Sequence, residues 1–141
     1  MKAAIDAPAY PSLVLEHFRE PRGVGRLEAE AGVFECRVGE RRLGAEVELG
    51  IKLGSGVIER AAFRAFGCPY LIAAASELVE QIAGRPISVL EAWSWRDQAD
   101  RLGVPAERFG RLLLVEDAVK ACLTLVAATG GQGTDRSARC P

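Results

Sequence analysis

Thiol chemistry is what this chain offers most plainly, and Cys68 has the setting for it. It stands in Arg64-Ala65-Phe66-Gly67-Cys68-Pro69-Tyr70-Leu71, where a strand pattern ends at a glycine and a helix begins. Pro69 suits the first helical position, so Cys68 either opens the helix or lies one residue before it. The first turn of a helix leaves backbone N–H groups unpaired and carries partial positive charge. A thiol there is biased toward thiolate, the form that attacks electrophiles and binds metal. The plainer alternative is a small side chain packed at a strand–helix corner.

Few other groups are placed to join it. Cys36 shares parity with Phe34 and Val38, and Cys122 falls on the apolar face of a long helix, so both read as core residues. Cys140 is the penultimate residue of a polar tail and reads as exposed, a reactive thiol or an added ligand if the tail folds back. No two of the four cysteines form a C-x-x-C pair, the spacing that signals zinc or redox chemistry. His17, the only histidine, lies in an amphipathic helix and reads as a packed, hydrogen-bonded side chain. No nucleophile lies near it in sequence, which disfavours a hydrolase or transferase that pairs Cys68 with His17, and the chain reads as non-enzymatic. One thiolate does not close a metal site, which needs about four ligands. The residues alone therefore define an α+β domain with one activated cysteine.

The elements that position Cys68 follow from period and punctuation. A short helix spans Ser12 to Arg19, with Leu13, Phe18, Val14 and His17 toward the core, and Pro21 and the following glycines stop it. Strand patterns cover Ala31 to Val38, Glu46 to Leu53 and Val57 to Phe66. Gly54-Ser55-Gly56 turns the second into the third, and residues 39–44 form a charged, solvated loop between the first two. After Cys68 a helix runs from Pro69 to a stop at Gly84 and Pro86. Ser88 caps a short helix, residues 97–102 form a further turn, and Trp93 and Trp95 read as core or edge packing. A long helix runs from about Pro105 to Ala128, burying Phe109, Leu112, Leu113, Val115, Val119, Cys122 and Val126. This order predicts a three-stranded antiparallel sheet with helices packed on one face.

Size and charge set the limits. A chain of 141 residues makes one domain, read as residues 10–129 between a flexible N-terminus (1–9) and a flexible tail (130–141). The net charge of −1 gives no basic excess for nucleic acid or an anionic membrane. No apolar run reaches the roughly 20 residues of a membrane helix, and residues 1–8 lack the apolar stretch of a signal peptide. These features point to the cytoplasm, where thiols stay reduced.

At this point the order of motifs is specific. Residues 14–25 (VLEHFREPRGVG), residues 57–68 with the alanine-rich helix behind them, and residues 115–121 (VEDAVKA) together resemble the IscU/NifU-type iron–sulfur cluster scaffold proteins. The resemblance runs from about Tyr10 to Ala128 and implies the SufE/NifU fold. In that family three cysteines, a loop aspartate and often a histidine hold the nascent cluster. Cys68 matches the second cysteine. The first cysteine position falls on Leu43 and the aspartate position on Ala45, while the third cysteine and its preceding histidine fall on Arg111 and Gly110. The resemblance thus implies a cluster or iron held weakly or not at all by the isolated monomer, through Cys68 with help from elsewhere. The partners it implies are a cysteine desulfurase or other assembly factors, with a homo-oligomer among the possible states. The alternative it implies is an adapter or sulfur acceptor that binds no cluster. An arginine near Cys68 would repel ferrous ion and favour a thiolate or persulfide.

Overall fold

Alternation of apolar and polar residues builds the central strand, β2 (Ala45–Gly54), in which Val47, Leu49, Ile51 and Leu53 are buried. The structure, a computed structural model, describes residues 10–129; the expectations for 1–9 and 130–141, Cys140 included, lie outside the described residues. Strands β1 (Val33–Glu40) and β3 (Val57–Phe66) flank β2 on either side, both antiparallel to it. Leu49 stands opposite Cys36 on one side and Phe63 on the other, so these three share the inner face. Ser55 and Gly56 alone make the β2–β3 turn. Both have positive φ (55° and 78°), the backbone of a type I′ hairpin that matches strand twist.

Five α-helices lie among the described residues: α1 (Ser12–Arg19), α2 (Pro69–Ile82), α3 (Ser88–Glu91), α4 (Trp95–Leu102) and α5 (Phe109–Ala128). The core forms where α2 lies on β3 and α5 lies on β1 and β2, with α1 against α2 and α4 against α5. The architecture is α+β with the helices on one face of the sheet, as the sequence predicts. The other face carries ion pairs, among them Arg26–Glu35 (2.8 Å), Lys52–Glu30 (2.9 Å) and Arg64–Glu48 (3.3 Å). The free edge of β3 is covered at two places. Gly25 N–H donates to the Phe63 carbonyl and Phe63 N–H to the Gly23 carbonyl, while Ile58 exchanges bonds with Arg85 and Gly84.

Two polar connections cross the helical layer. Glu77 of α2, 4% exposed, accepts from Gln98 Nε2 (3.0 Å) and Arg101 Nε (3.0 Å) of α4. His17 of α1 meets Ser76 of α2, Nδ1 to Oγ, at 2.7 Å. Trp95 at the start of α4 rests edge-on against Phe109 at the start of α5, with ring centroids 5.1 Å apart, and the Arg96 guanidinium lies 4.8 Å over the Trp95 ring.

The structure departs from the sequence reading at several ends. Strand β1 begins and stops two residues later than expected, so residues 39–40 are strand and Arg41–Leu43 form a 3-10 turn. Ser88 does not cap α3 but is its first residue. The capping serine is Ser94, whose Oγ accepts from Asp97 N–H and starts α4 two residues earlier than the expected turn. Pro105 is extended, a 3-10 turn covers Ala106–Arg108, and α5 starts only at Phe109. In α1 the buried pair is Val14 and His17, and Phe18 is 39% exposed. In α5 Leu113 faces out and Ala118 faces in. Ala118 is three residues beyond Val115, on the same stripe, and its small side chain lets the helix backbone approach β1.

Candidate functional site

Two residues make the joint between sheet and helix. Strand β3 ends at Phe66 and α2 begins at Pro69, so Gly67 and Cys68 turn the chain between them. Cys68 is the N-cap residue, with extended backbone (φ −76°, ψ 166°). Its carbonyl accepts from Leu71 N–H (3.0 Å) and Ile72 N–H (3.2 Å). Pro69 at the first helical position lacks an N–H, which would be unpaired there in any case. The Cys68 side chain is half-buried, and its thiol makes no capping hydrogen bond.

Gly67 fixes what lies beside this joint. A Cβ there would stand 2.7 Å from Leu71 Cδ2, 3.4 Å from the Gly44 carbonyl oxygen and 3.7 Å from Ala45 Cα. The start of β2 therefore packs directly on the β3–α2 corner. Ala45 is buried there, and Leu43 stands at the rim, 76% exposed. Gly44 takes the left-handed backbone (φ 97°) that ends the 3-10 turn, and its N–H donates to the Arg41 carbonyl at 2.9 Å. The Arg41 guanidinium lies 5.1 Å over the Phe66 ring, tying the loop to the end of β3.

Tyr70, the second residue of α2, stands next to this corner. Its ring meets Tyr10 edge-on at 5.0 Å. Burial pushes the Tyr70 phenol up, and Tyr10 adds to this. Arg108 pulls the other way, and Cys68 and Glu107 also act on it. Tyr70 is thus within electrostatic reach of both Cys68 and the 3-10 turn that leads into α5. Gly110 is exposed, and a Cβ built on it would meet nothing within 4 Å. Arg111 is half-buried, with a buried Nε that has no hydrogen-bond partner. Leu43, Ala45 and Cys68 therefore gather at one corner. Gly110 and Arg111 stand in the first turn of α5, with no ion pair from Arg111 to Cys68 among the described residues. Among the described residues no three of His, Cys, Asp and Glu come together in a metal-holding group.

The remaining polar candidates are structural. His17 is 2% exposed, and one neutral tautomer satisfies it: Ser76 Oγ–H and Arg22 Nη1 (3.2 Å) donate to Nδ1, while Nε2–H faces Glu80 Oε1 at 3.6 Å. Ser76 Oγ in turn accepts from the Arg22 backbone N–H at 2.9 Å. A serine, a histidine and a glutamate thus stand in hydrolase-like order, but Ser76 is fully buried and no substrate reaches it. Cys36 and Cys122 are buried in the core, as expected. Sequence reasoning passed over Tyr70 and Ser76. The only available signal was the placement of both on the helix that Cys68 opens. No helix among the described residues is long and apolar enough to cross a membrane.

A three-stranded antiparallel sheet whose last strand hands a cysteine to a helix N-terminus defines a small α+β class. The N-terminal part of a nitrogen-fixing NifU-like protein from Brucella abortus has this fold, with a TM-score of 0.64 over 82% of this chain and 92% of that one, at 22% identity. The family model of the NifU-like N-terminal domain matches residues 9–128, and the chain belongs to that family. It is 34% identical over 117 residues to the iron–sulfur cluster assembly scaffold protein IscU of Azotobacter vinelandii, covering 82% of this chain and 91% of that protein. It is 36% identical over 116 residues to iron sulfur cluster assembly protein 1 of Trachipleistophora hominis, covering 82% of this chain and 84% of that protein.

Proposed function

We propose that this protein acts in iron–sulfur cluster assembly as a non-enzymatic, cytoplasmic, scaffold-type protein whose cluster site retains a single family cysteine, Cys68. The observation that carries this reading is the packing of Gly44 and Ala45 on Gly67. It brings the loop positions of the site beside Cys68, and those positions hold an alkyl chain and a methyl group. Leucine and alanine offer iron no donor atom, and an arginine cannot lose its proton to become one. The cluster is cargo here. A chain with one thiolate at the corner needs further ligands from an assembly partner, a second copy, glutathione or Cys140.

Anaerobic reconstitution with ferrous iron and sulfide tests this. The isolated wild-type chain is expected to retain far less than one cluster per chain. A Leu43→Cys/Ala45→Asp/Arg111→Cys variant should take up several-fold more iron, because it returns three donors to the corner. Full occupancy of the wild-type chain would overturn the depleted site. The half-buried, uncapped Cys68 thiol also supports a second reading, in which the protein is an adapter or sulfur acceptor for a cysteine desulfurase. Co-purification with the desulfurase that survives Cys68→Ser favours the adapter, and loss of binding favours a role for the sulfur itself.

A further inference from the structure

Cys36 and Cys122 lie away from the Cys68 corner, and nothing in the proposed function uses them. Cys36 sits on the inner face of β1 and Cys122 on the buried side of α5, 86 positions apart in the chain, with their sulfurs 3.4 Å apart. Cys36 Sγ donates to the Ala118 carbonyl at 3.2 Å, one helical turn before Cys122, and Cys122 Sγ lies 3.8 Å from the Leu49 carbonyl. Neither sulfur is in a disulfide. A disulfide needs the sulfurs at about 2.05 Å, so they must close by about 1.4 Å. The Cys36 side chain already touches the α5 backbone at the Ala118 carbonyl, so side-chain rotation and a small settling of α5 supply that movement.

We propose that Cys36 and Cys122 form a redox-modifiable dithiol that a hydroperoxide oxidises to an intramolecular disulfide. One thiolate attacks the peroxide oxygen, the O–O bond breaks, and the departing hydroxide takes a proton and leaves as water. The resulting sulfenic acid is attacked by the second thiolate. The S–S bond forms, the S–O bond breaks and a second water leaves. Two thiols and hydrogen peroxide thus become one disulfide and two waters, two electrons passing from sulfur to oxygen. Burial of both sulfurs disfavours the thiolate, so the reaction proceeds through local lifting of α5 from β1. Once made, the bond fastens the middle of α5 to β1, and Gly110 and Arg111 stand at the head of that same helix. It also closes a long loop in the unfolded chain, which stabilises the folded state. Intracellular disulfides of this kind are characteristically transient and redox-sensing.

The full chain carrying Cys68→Ser and Cys140→Ser keeps only the two thiols in question. Treated with hydrogen peroxide under native conditions and then alkylated, it is expected to lose both thiols together. Its mass should fall by two hydrogens, and peptides around 36 and 122 should be joined. Its melting temperature should rise by several degrees and return after dithiothreitol. Persistence of both thiols, or over-oxidation without linkage, would overturn the proposal. So would linkage that forms only in denaturant. Should the double variant not fold, the peptide map of oxidised wild-type protein decides. A joined Cys36–Cys122 pair supports the proposal, and links made only through Cys68 or Cys140 refute it.

Discussion

Replacing Ser76 with alanine removes one oxygen that serves two partners. Its hydroxyl donates to His17 Nδ1 at 2.7 Å and accepts from the Arg22 backbone N–H at 2.9 Å, in a position with no solvent exposure. Each hydrogen bond contributes about 1 kcal/mol net, and a buried donor left unpaired adds about 1–3 kcal/mol. The imidazole keeps Arg22 Nη1 as a donor at 3.2 Å, so only the Arg22 N–H is orphaned. The expected loss is about 2–4 kcal/mol. For a domain of this size that lowers the melting temperature by about 6–20 °C. The hole left by one oxygen is at the lower limit for a water, so solvent does not restore the contact. Urea unfolding followed by circular dichroism reads the change as a lower midpoint at unchanged slope. A double-mutant cycle with His17→Ala should show a coupling of at least about 1 kcal/mol between the two residues. A loss below about 0.5 kcal/mol for Ser76→Ala, the level of an ordinary surface substitution, would refute the claim that this pair pins α1 to α2.

Arg111→Met keeps the aliphatic stem and removes the buried, unpartnered Nε. It should be neutral or stabilise the protein by up to about 1–2 kcal/mol in urea unfolding, and a destabilisation of that size would show that the guanidinium has an essential partner. Acid should weaken exposed ion pairs on the outer face of the sheet and at α1. The Lys52 ammonium hydrogen-bonded to Glu30 holds that carboxyl below its usual range, and the Arg22 guanidinium does the same for Glu16. The resulting stability is complete above the unfolded carboxylate pKa of about 4.3 and is lost as pH falls through the lower folded values. The urea midpoint should therefore drop less steeply between pH 5 and about 3 in Lys52→Met than in wild type, and parallel curves would contradict this.

Elements with strong local signals were legible from the residues. The apolar–polar alternation of 46–53 and the Gly-Ser-Gly turn defined the hairpin, and Pro69 defined the helix start at Cys68. The signals failed where a local choice depended on distant packing. Pro105 is as compatible with a helix start as with the extended residue it proves to be, and only the 3-10 turn behind it moves α5 to Phe109. Leu113, expected inside, faces out, and Ala118 is buried instead, its carbonyl accepting from Cys36 Sγ of β1. Of the site, the Cys68 joint between β3 and α2 was readable, and the loop residues Gly44 and Ala45 pack against it. The partners of His17 and Cys36 were not, since Ser76 lies 59 residues and Cys122 86 residues away, with no local pattern to announce either.

The edge-on contact between Trp95 and Phe109 places an intrinsic fluorophore one residue from Gly110. The Arg96 guanidinium over its ring makes its emission sensitive to a change in the polarity of its surroundings. The only other indole, Trp93, has no hydrogen-bond partner for its buried N–H, so phenylalanine can replace it without breaking a bond. In such a single-tryptophan protein, light from Trp95 reports changes at the head of α5 in real time, without an attached dye.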